Sequence, residues 1–163
     1  PYPLRAERDG FVADTGGAGK HRGGLAIERN YRVLSDRAVL NVRTDKRAFP
    51  PDGLYDGKEG APSMNVLRSG ADARVLPVLL SEPVAMKKGD IFCHQMASGG
   101  GYGAAFERDP AMVLNDVVQG KVTIGGAERD YGVAIIATDQ GYVVDKKKTA
   151  LLRDAQVLQP LSV

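Results

Sequence analysis

The chain has 163 residues, 43% of them hydrophobic and 26% charged, a length and balance that suit one folded domain and exclude a disordered chain. A net charge of +2 gives no electrostatic case for nucleic acid or an anionic membrane, although the first fifty residues hold ten Lys/Arg against six Asp/Glu. That basic third reads as a solvated face or a contact for an acidic partner.

The 20 glycines and 9 prolines predict many turns and short elements. Residues 4–13 suit an edge strand. The segment DTGGAGKHRGG, residues 14–24, is the first Gly-rich loop. Residues 25–34 and 38–44 read as strands, and a turn at Ser35–Arg37 predicts that they pair with each other. Residues 48–62 form a loop well beyond the usual ~4–6 residues, so either functional or packed at an interface. Residues 63–78 read as a hairpin turning at Ser69–Asp72. A Lys-Lys-Gly-Asp turn leads into a strand at Ile91–Met96, and SGGGYGAAF, residues 98–106, is the second Gly-rich loop.

The pattern then becomes helical. Asp109 and Pro110 mark a helix start and Gly120 its stop; Thr123 and Gly132 bracket a second short helix. Residues 133–145 read as a hairpin turning at Asp139–Gly141, and Asp145 caps a last helix. The expectation is an α+β fold, with an antiparallel β-rich N-terminal two-thirds followed by short helices and a small hairpin, in a single domain over 1–163. No signal peptide or apolar run of the roughly eighteen residues a membrane span needs is visible, so the chain reads as cytoplasmic.

Candidate chemistry is sparse. The first loop could cradle a phosphate through backbone N–H groups with Lys20 and Arg22, but it lacks the GxxxxGK(S/T) order and leads into a strand. It reads either as a tight structural turn or as a ligand- or partner-contacting loop. Three consecutive glycines, Gly99 to Gly101, require close approach of another segment or form the wall of an active site, with Tyr102 as anchor or pocket cap. Cys93 is the only cysteine, which excludes an internal disulfide and a cysteine-only zinc site. His21 and His94 are the only histidines, too few for a metal site within this chain. Cys93 and His94 are neighbours on a strand, so their side chains face opposite ways and cannot act as a nucleophile–base pair. No Ser–His–Asp set stands out.

At the two Gly-rich loops a specific resemblance emerges. The succession DTGGAGKHRGGLAIERNYRVL, RAFPPDGLYDGKEGAP and KKGDIFCHQMASGGGYGAAFERDPAMVLNDVVQGKVTIGGAERDYGVAI resembles the C-terminal region of the hydantoinase B/oxoprolinase family, in order and spacing, over nearly the whole chain. It departs from the family's pattern at Ala97–Ser98, where that pattern has Thr-Pro-Gly, and at Ala104–Ala105, where it has Asp-Pro. The resemblance implies part of an ATP-dependent enzyme that opens cyclic amides such as hydantoins and 5-oxoproline. It implies as partners a hydantoinase A-type subunit that uses ATP and the remainder of a longer B-type chain. ATP and a divalent metal are implied for the whole complex, and none bound by this chain alone. No catalytic residue is carried over. The substrate- or partner-contacting residues are expected in the two loops: Gly16, Gly17, Gly19, Lys20, Arg22 and Gly23, then Gly99, Gly100, Gly101, Tyr102 and Gly103. Two alternatives stand beside this reading: a subunit of a ketone carboxylase of the acetone or acetophenone type, and a non-catalytic structural subunit of such a complex.

Overall fold

Val33, Leu67, Met86 and Phe92 come from four different strands yet pack in one cluster, because the chain folds its strands into two layers. In a computed structural model that describes residues 2–157, the larger layer is a five-stranded antiparallel sheet. Its strands are β1 (Leu4–Phe11), β2 (Ile27–Val33), β4 (Met64–Ser69), β5 (Asp72–Val75) and β7 (Ile91–Gln95), ordered β1-β2-β7-β4-β5. The smaller layer is a ribbon of β3 (Arg37–Leu40) and β6 (Val84–Lys87). Alternation along the strands sends Tyr31 and Val33 of β2, Leu67 of β4 and Phe92 of β7 to one face. Met86, Ala38 and Leu40 of the ribbon close over that face. Each such side chain taken from water contributes about 1.5–3 kcal/mol, the main force holding the layers together.

The structure corrects one pairing. β2 and β3 do not form a hairpin: β2 has β1 on one edge and β7 on the other, and β3 pairs with β6. With both edges of β2 occupied, the bend at residues 34–36 carries the chain into the second layer, where Ala38 and Leu40 bury face to face rather than edge to edge. The hairpin of β4 and β5 forms as expected, with a turn at Ser69–Asp72. β1 is an edge strand, exposed along nearly its whole length.

Beyond residue 104 the structure is helical with one hairpin. Asp109 Oδ1 accepts the Ala111 N–H at 2.8 Å and opens α1 (Pro110–Val118). Thr123 Oγ1 accepts the Gly126 N–H at 2.9 Å and opens α2 (Ile124–Tyr131), which Gly132 ends in the left-handed region at φ 61°. β8 (Ile135–Thr138) and β9 (Gly141–Val144) follow, and Asp145 caps α3 (Lys146–Val157) through the Lys148 N–H at 3.0 Å. Val113, Val117, Ala127, Tyr131 and Val133 form the second core. The result is mixed α+β with mostly antiparallel sheet.

Candidate functional site

Three irregular segments cross between the two cores: residues 15–24, 51–61 and 98–103. They form a compact ladder of main-chain hydrogen bonds. His21 and Tyr102 exchange N–H and C=O, both at 2.9 Å, and the Leu54 N–H donates to the Gly101 carbonyl at 2.9 Å. The Gly103 N–H returns to the Leu54 carbonyl at 2.9 Å. The Gly17 N–H reaches Gly99 O at 2.9 Å, the Gly99 N–H reaches Gly24 O at 2.9 Å, and the Gly101 N–H reaches Lys58 O at 2.8 Å.

The glycines permit this approach. A Cβ on Gly100 would run into the Asp52 carbonyl, and one on Gly101 into the Ala18 carbonyl. Both obstacles are backbone and cannot swing aside. The third participant, residues 51–61, belongs to the segment that local pattern reads only as a long loop. Its PPDGLYDG run is the available signal, since Gly53 and Gly57 mark it as a chain that other backbones approach closely.

Each residue singled out in the loops has a definite place. Gly16, Gly17, Gly19 and Gly23 lie against main chain or Arg22 of the same molecule, and Gly23 faces Gly99. The N–H groups of Gly17, Lys20, His21 and Gly23 all donate to carbonyls of the chain, which leaves a phosphate cradle here without those donors. Lys20 pairs with Glu107 at 3.1 Å on the surface. Arg22 turns inward and clasps Asp116 of α1, Nε to Oδ2 at 3.1 Å and Nη2 to Oδ1 at 3.2 Å. Arg108 meets the same carboxylate at 2.9 Å and donates to the Lys20 carbonyl at 2.9 Å. Only 6–12% of these three side chains is exposed. Beside them, burial pushes the Tyr131 hydroxyl up to about 12, against the opposing influence of Arg108 and Arg22.

The outer side of the crossing is aromatic. Tyr102 projects from the ladder, about half exposed, with the Tyr55 ring 5.0 Å away and the His21 ring 6.1 Å away. Tyr55 and Asp56 both hold positive φ, 51° and 68°, in a tight turn closed by the Gly57 N–H on the Leu54 carbonyl at 3.0 Å. A polar cavity of about 340 Å³ opens beside this turn, lined by Ala18, Asp56, Lys58, Phe106, Arg129 and Asp130. Hydrogen bonds from Arg129 to Asp130 at 2.9 and 2.7 Å hold that guanidinium in its charged form.

The remaining candidates separate as the strand geometry requires. Cys93 is buried opposite Val66, and burial raises its thiol. His94 faces the other way, opposite Asn65. Among the described residues no group of three or more His, Cys, Asp or Glu side chains could hold a metal ion, and no helix is long and apolar enough to cross a membrane.

Comparison with known proteins agrees with this geometry. The model of the hydantoinase B/oxoprolinase family matches residues 1–105, a span containing all three crossing segments. A chain of Pseudomonas sp. assigned as the B-type component of a D-/L-hydantoinase is 33% identical over 156 residues, covering 93% of this chain and 25% of its own length. The ATP-dependent caprolactamase of Pseudomonas jessenii superposes with a TM-score of 0.78 at 26% identity, covering 94% of this chain and 26% of the other. A nucleotide-free acetone carboxylase shares the fold with a TM-score of 0.80 at 23% identity, over 95% of this chain and 25% of that one. The chain spans about a quarter or less of the length of the curated relatives it matches. The interlocked glycine segments and the family match over the same residues lead to one conclusion: the chain belongs to the hydantoinase B/oxoprolinase family.

Proposed function

We propose that this chain forms part of the B-type half of an ATP-dependent enzyme that hydrolyses cyclic amides, working in the cytoplasm with a hydantoinase A-type subunit and the rest of a B-type chain. The observation that carries this reading is the family match across the whole glycine crossing, supported by relatives named as a hydantoinase component and a caprolactamase. In the reaction, ATP transfers its terminal phosphoryl group to the ring carbonyl oxygen and leaves as ADP, and water adds to the carbonyl carbon. The ring C–N bond then breaks as the nitrogen takes up a proton, and phosphate departs by reaction with a second water, leaving an amine and a carboxylate. ATP and a divalent metal belong to the rest of the assembly in this reading, because the amides of Gly17, Lys20, His21 and Gly23 already serve carbonyls of this chain. This chain supplies shape. The crossing presents Tyr102, Tyr55 and His21 at its outer side and a polar cavity beside them, a wall against which substrate or a partner chain rests.

The test is reconstitution. The chain, within its full B-type assembly and with an A-type subunit, is assayed for ADP release with hydantoin, 5-oxoproline or caprolactam, and separately with acetone plus bicarbonate. Amide-dependent ADP release with a ring-opened product supports the reading. ADP release that depends on the ketone and yields a carboxylated product overturns it in favour of a carboxylase. Unchanged turnover after the chain is withdrawn from the assembly overturns it in favour of a structural role.

A further inference from the structure

Away from the glycine crossing, a polar chain with a fixed direction runs through the sheet. The Val78 carbonyl accepts the Thr44 N–H at 2.7 Å and, more weakly, the Thr44 hydroxyl at 3.3 Å. The Thr44 oxygen in turn accepts the Asn65 Nδ2–H at 2.9 Å. That turns Asn65 Oδ1 toward His94 Nδ1, 2.7 Å away. With the Asn65 amide in this orientation its oxygen accepts, which assigns the His94 proton to Nδ1. In a neutral imidazole the other nitrogen, Nε2, is then a bare lone pair.

The surroundings keep this arrangement in place. Asn65 of β4 stands opposite His94 of β7 in the strand register, and at 0% exposure its amide has no bulk water to turn to. The Phe92 ring lies nearly parallel to the imidazole, 12° apart at 6.1 Å. Burial lowers the His94 pKa, and the charge of its cross-strand neighbour Arg29 adds to the effect, so the ring is neutral at physiological pH.

His94 also lines a cavity of about 290 Å³ with Arg43, Asp45, Ser63 and Met96. With Nδ1 held against Asn65, the edge left for the cavity bears Nε2. Arg43 is exposed, and none of the ion pairs among the described residues includes it. The cavity therefore offers one acceptor with no donor and one cation rich in donors. An amide in a small ring is held cis, which places its N–H and C=O along one edge, whereas an open-chain trans amide points them opposite ways.

We propose that this cavity is a binding site for a small cyclic amide, whose ring N–H donates to His94 Nε2 and whose carbonyl oxygen accepts from Arg43. The proposal rests on the cyclic-amide reading of the family and adds a site to it. His94 is the residue that reads the N–H, and Asn65 and Thr44 are positioning residues that act through it. A neutral ring suits a lining that holds both Arg43 and Asp45, since neither charge is left facing a like one.

The experiment measures equilibrium dialysis of γ-butyrolactam and of its N-methyl derivative against the full assembly, with wild-type chain, His94→Phe and Arg43→Met. The N-methyl ring keeps the carbonyl and loses the donor. Wild type is expected to prefer the N–H ring by about tenfold, because the N-methyl ring covers the Nε2 lone pair and gives it no donor in place of water. His94→Phe erases the preference, and Arg43→Met weakens both rings together. The preference also fades as pH falls through the imidazole pKa, with Arg29, Arg43 and Asp45 the charged groups facing the ring. Equal binding of both rings to wild type overturns the site, as does a preference that survives in His94→Phe. Arg43 is exposed, so its variant remains informative if His94→Phe folds poorly; unchanged binding in Arg43→Met also overturns the site. ADP release is followed in parallel. A His94-dependent preference without amide-dependent turnover leaves the site standing and removes the hydrolase reading. Amide-dependent turnover without the preference does the reverse.

Discussion

Arg22 sits inside the first glycine loop, and its guanidinium forks onto both carboxylate oxygens of Asp116 in α1, 94 residues further along the chain. Arg108 donates to the same Oδ2 that receives the Arg22 Nε, so one buried anion answers two largely buried cations. The Asp116 substitution is therefore the informative one. Asp116→Asn keeps the shape and removes the charge, leaving two guanidinium groups uncompensated. It is expected to destabilise the fold by about 3–5 kcal/mol, read from the denaturant midpoint. A loss below about 1 kcal/mol would show that the cluster is wetter than its 6–12% exposure indicates.

Glycine positions in the crossing should divide sharply by what surrounds them. Gly100→Ala drives a methyl into the Asp52 carbonyl and should cost about 1–3 kcal/mol or more. Gly24→Ala meets nothing within 4 Å and should stay within about 0.5 kcal/mol of wild type. Thermal melts of the pair check this, and equal effects would contradict the close-approach account.

The turn at Tyr55–Asp56 carries two side chains in a backbone region that suits glycine. Asp56→Gly relieves that strain and should stabilise by about 0.5 kcal/mol, after the added freedom of the unfolded chain is subtracted. Tyr55→Gly relieves a similar strain but loses the ring contact with Tyr102, worth about 0.5–1.5 kcal/mol, and should come out near neutral. Denaturant curves of both variants test the sign of each.

Asp90 sets an acid limit on the two-layer core. Burial alone would raise its carboxyl, but the Lys87 N–H at 2.9 Å and the Ser69 hydroxyl at 2.7 Å hold it below the usual aspartate value. A depressed folded pKa contributes stability above the unfolded pKa, and that contribution is lost as pH falls through the folded value. Asp90→Asn should lower stability at neutral pH and flatten the decline between neutral and acid pH. An unchanged acid limb would exclude Asp90 as its source.

Much of the fold is readable locally. Helix starts at Asp109 and Thr123 and the stop at Gly132 follow from side chains that cap their own helix. The hairpins of β4–β5 and β8–β9 follow from short turns between alternating runs. Pairing at a distance is not. The β2–β3 hairpin is what local pattern suggests, but the edges of β2 go to strands whose claim depends on covering Val33 and Phe92. The glycine loops are visible as loops, but their mutual crossing, the inward turn of Arg22 and the alignment of Asn65 with His94 are tertiary facts with no local signature.

The crossing also bears on how the molecule is made. Residues 18, 58 and 101 are linked in turn: the Lys58 N–H needs the Ala18 carbonyl, and the Gly101 N–H needs the Lys58 carbonyl. No partial segment emerging from a ribosome can settle into this arrangement, because the last strand of the braid is synthesised some eighty residues after the first. Until it arrives, the early glycines stay hydrated and loose, and the Arg22 side chain has no anion to close upon.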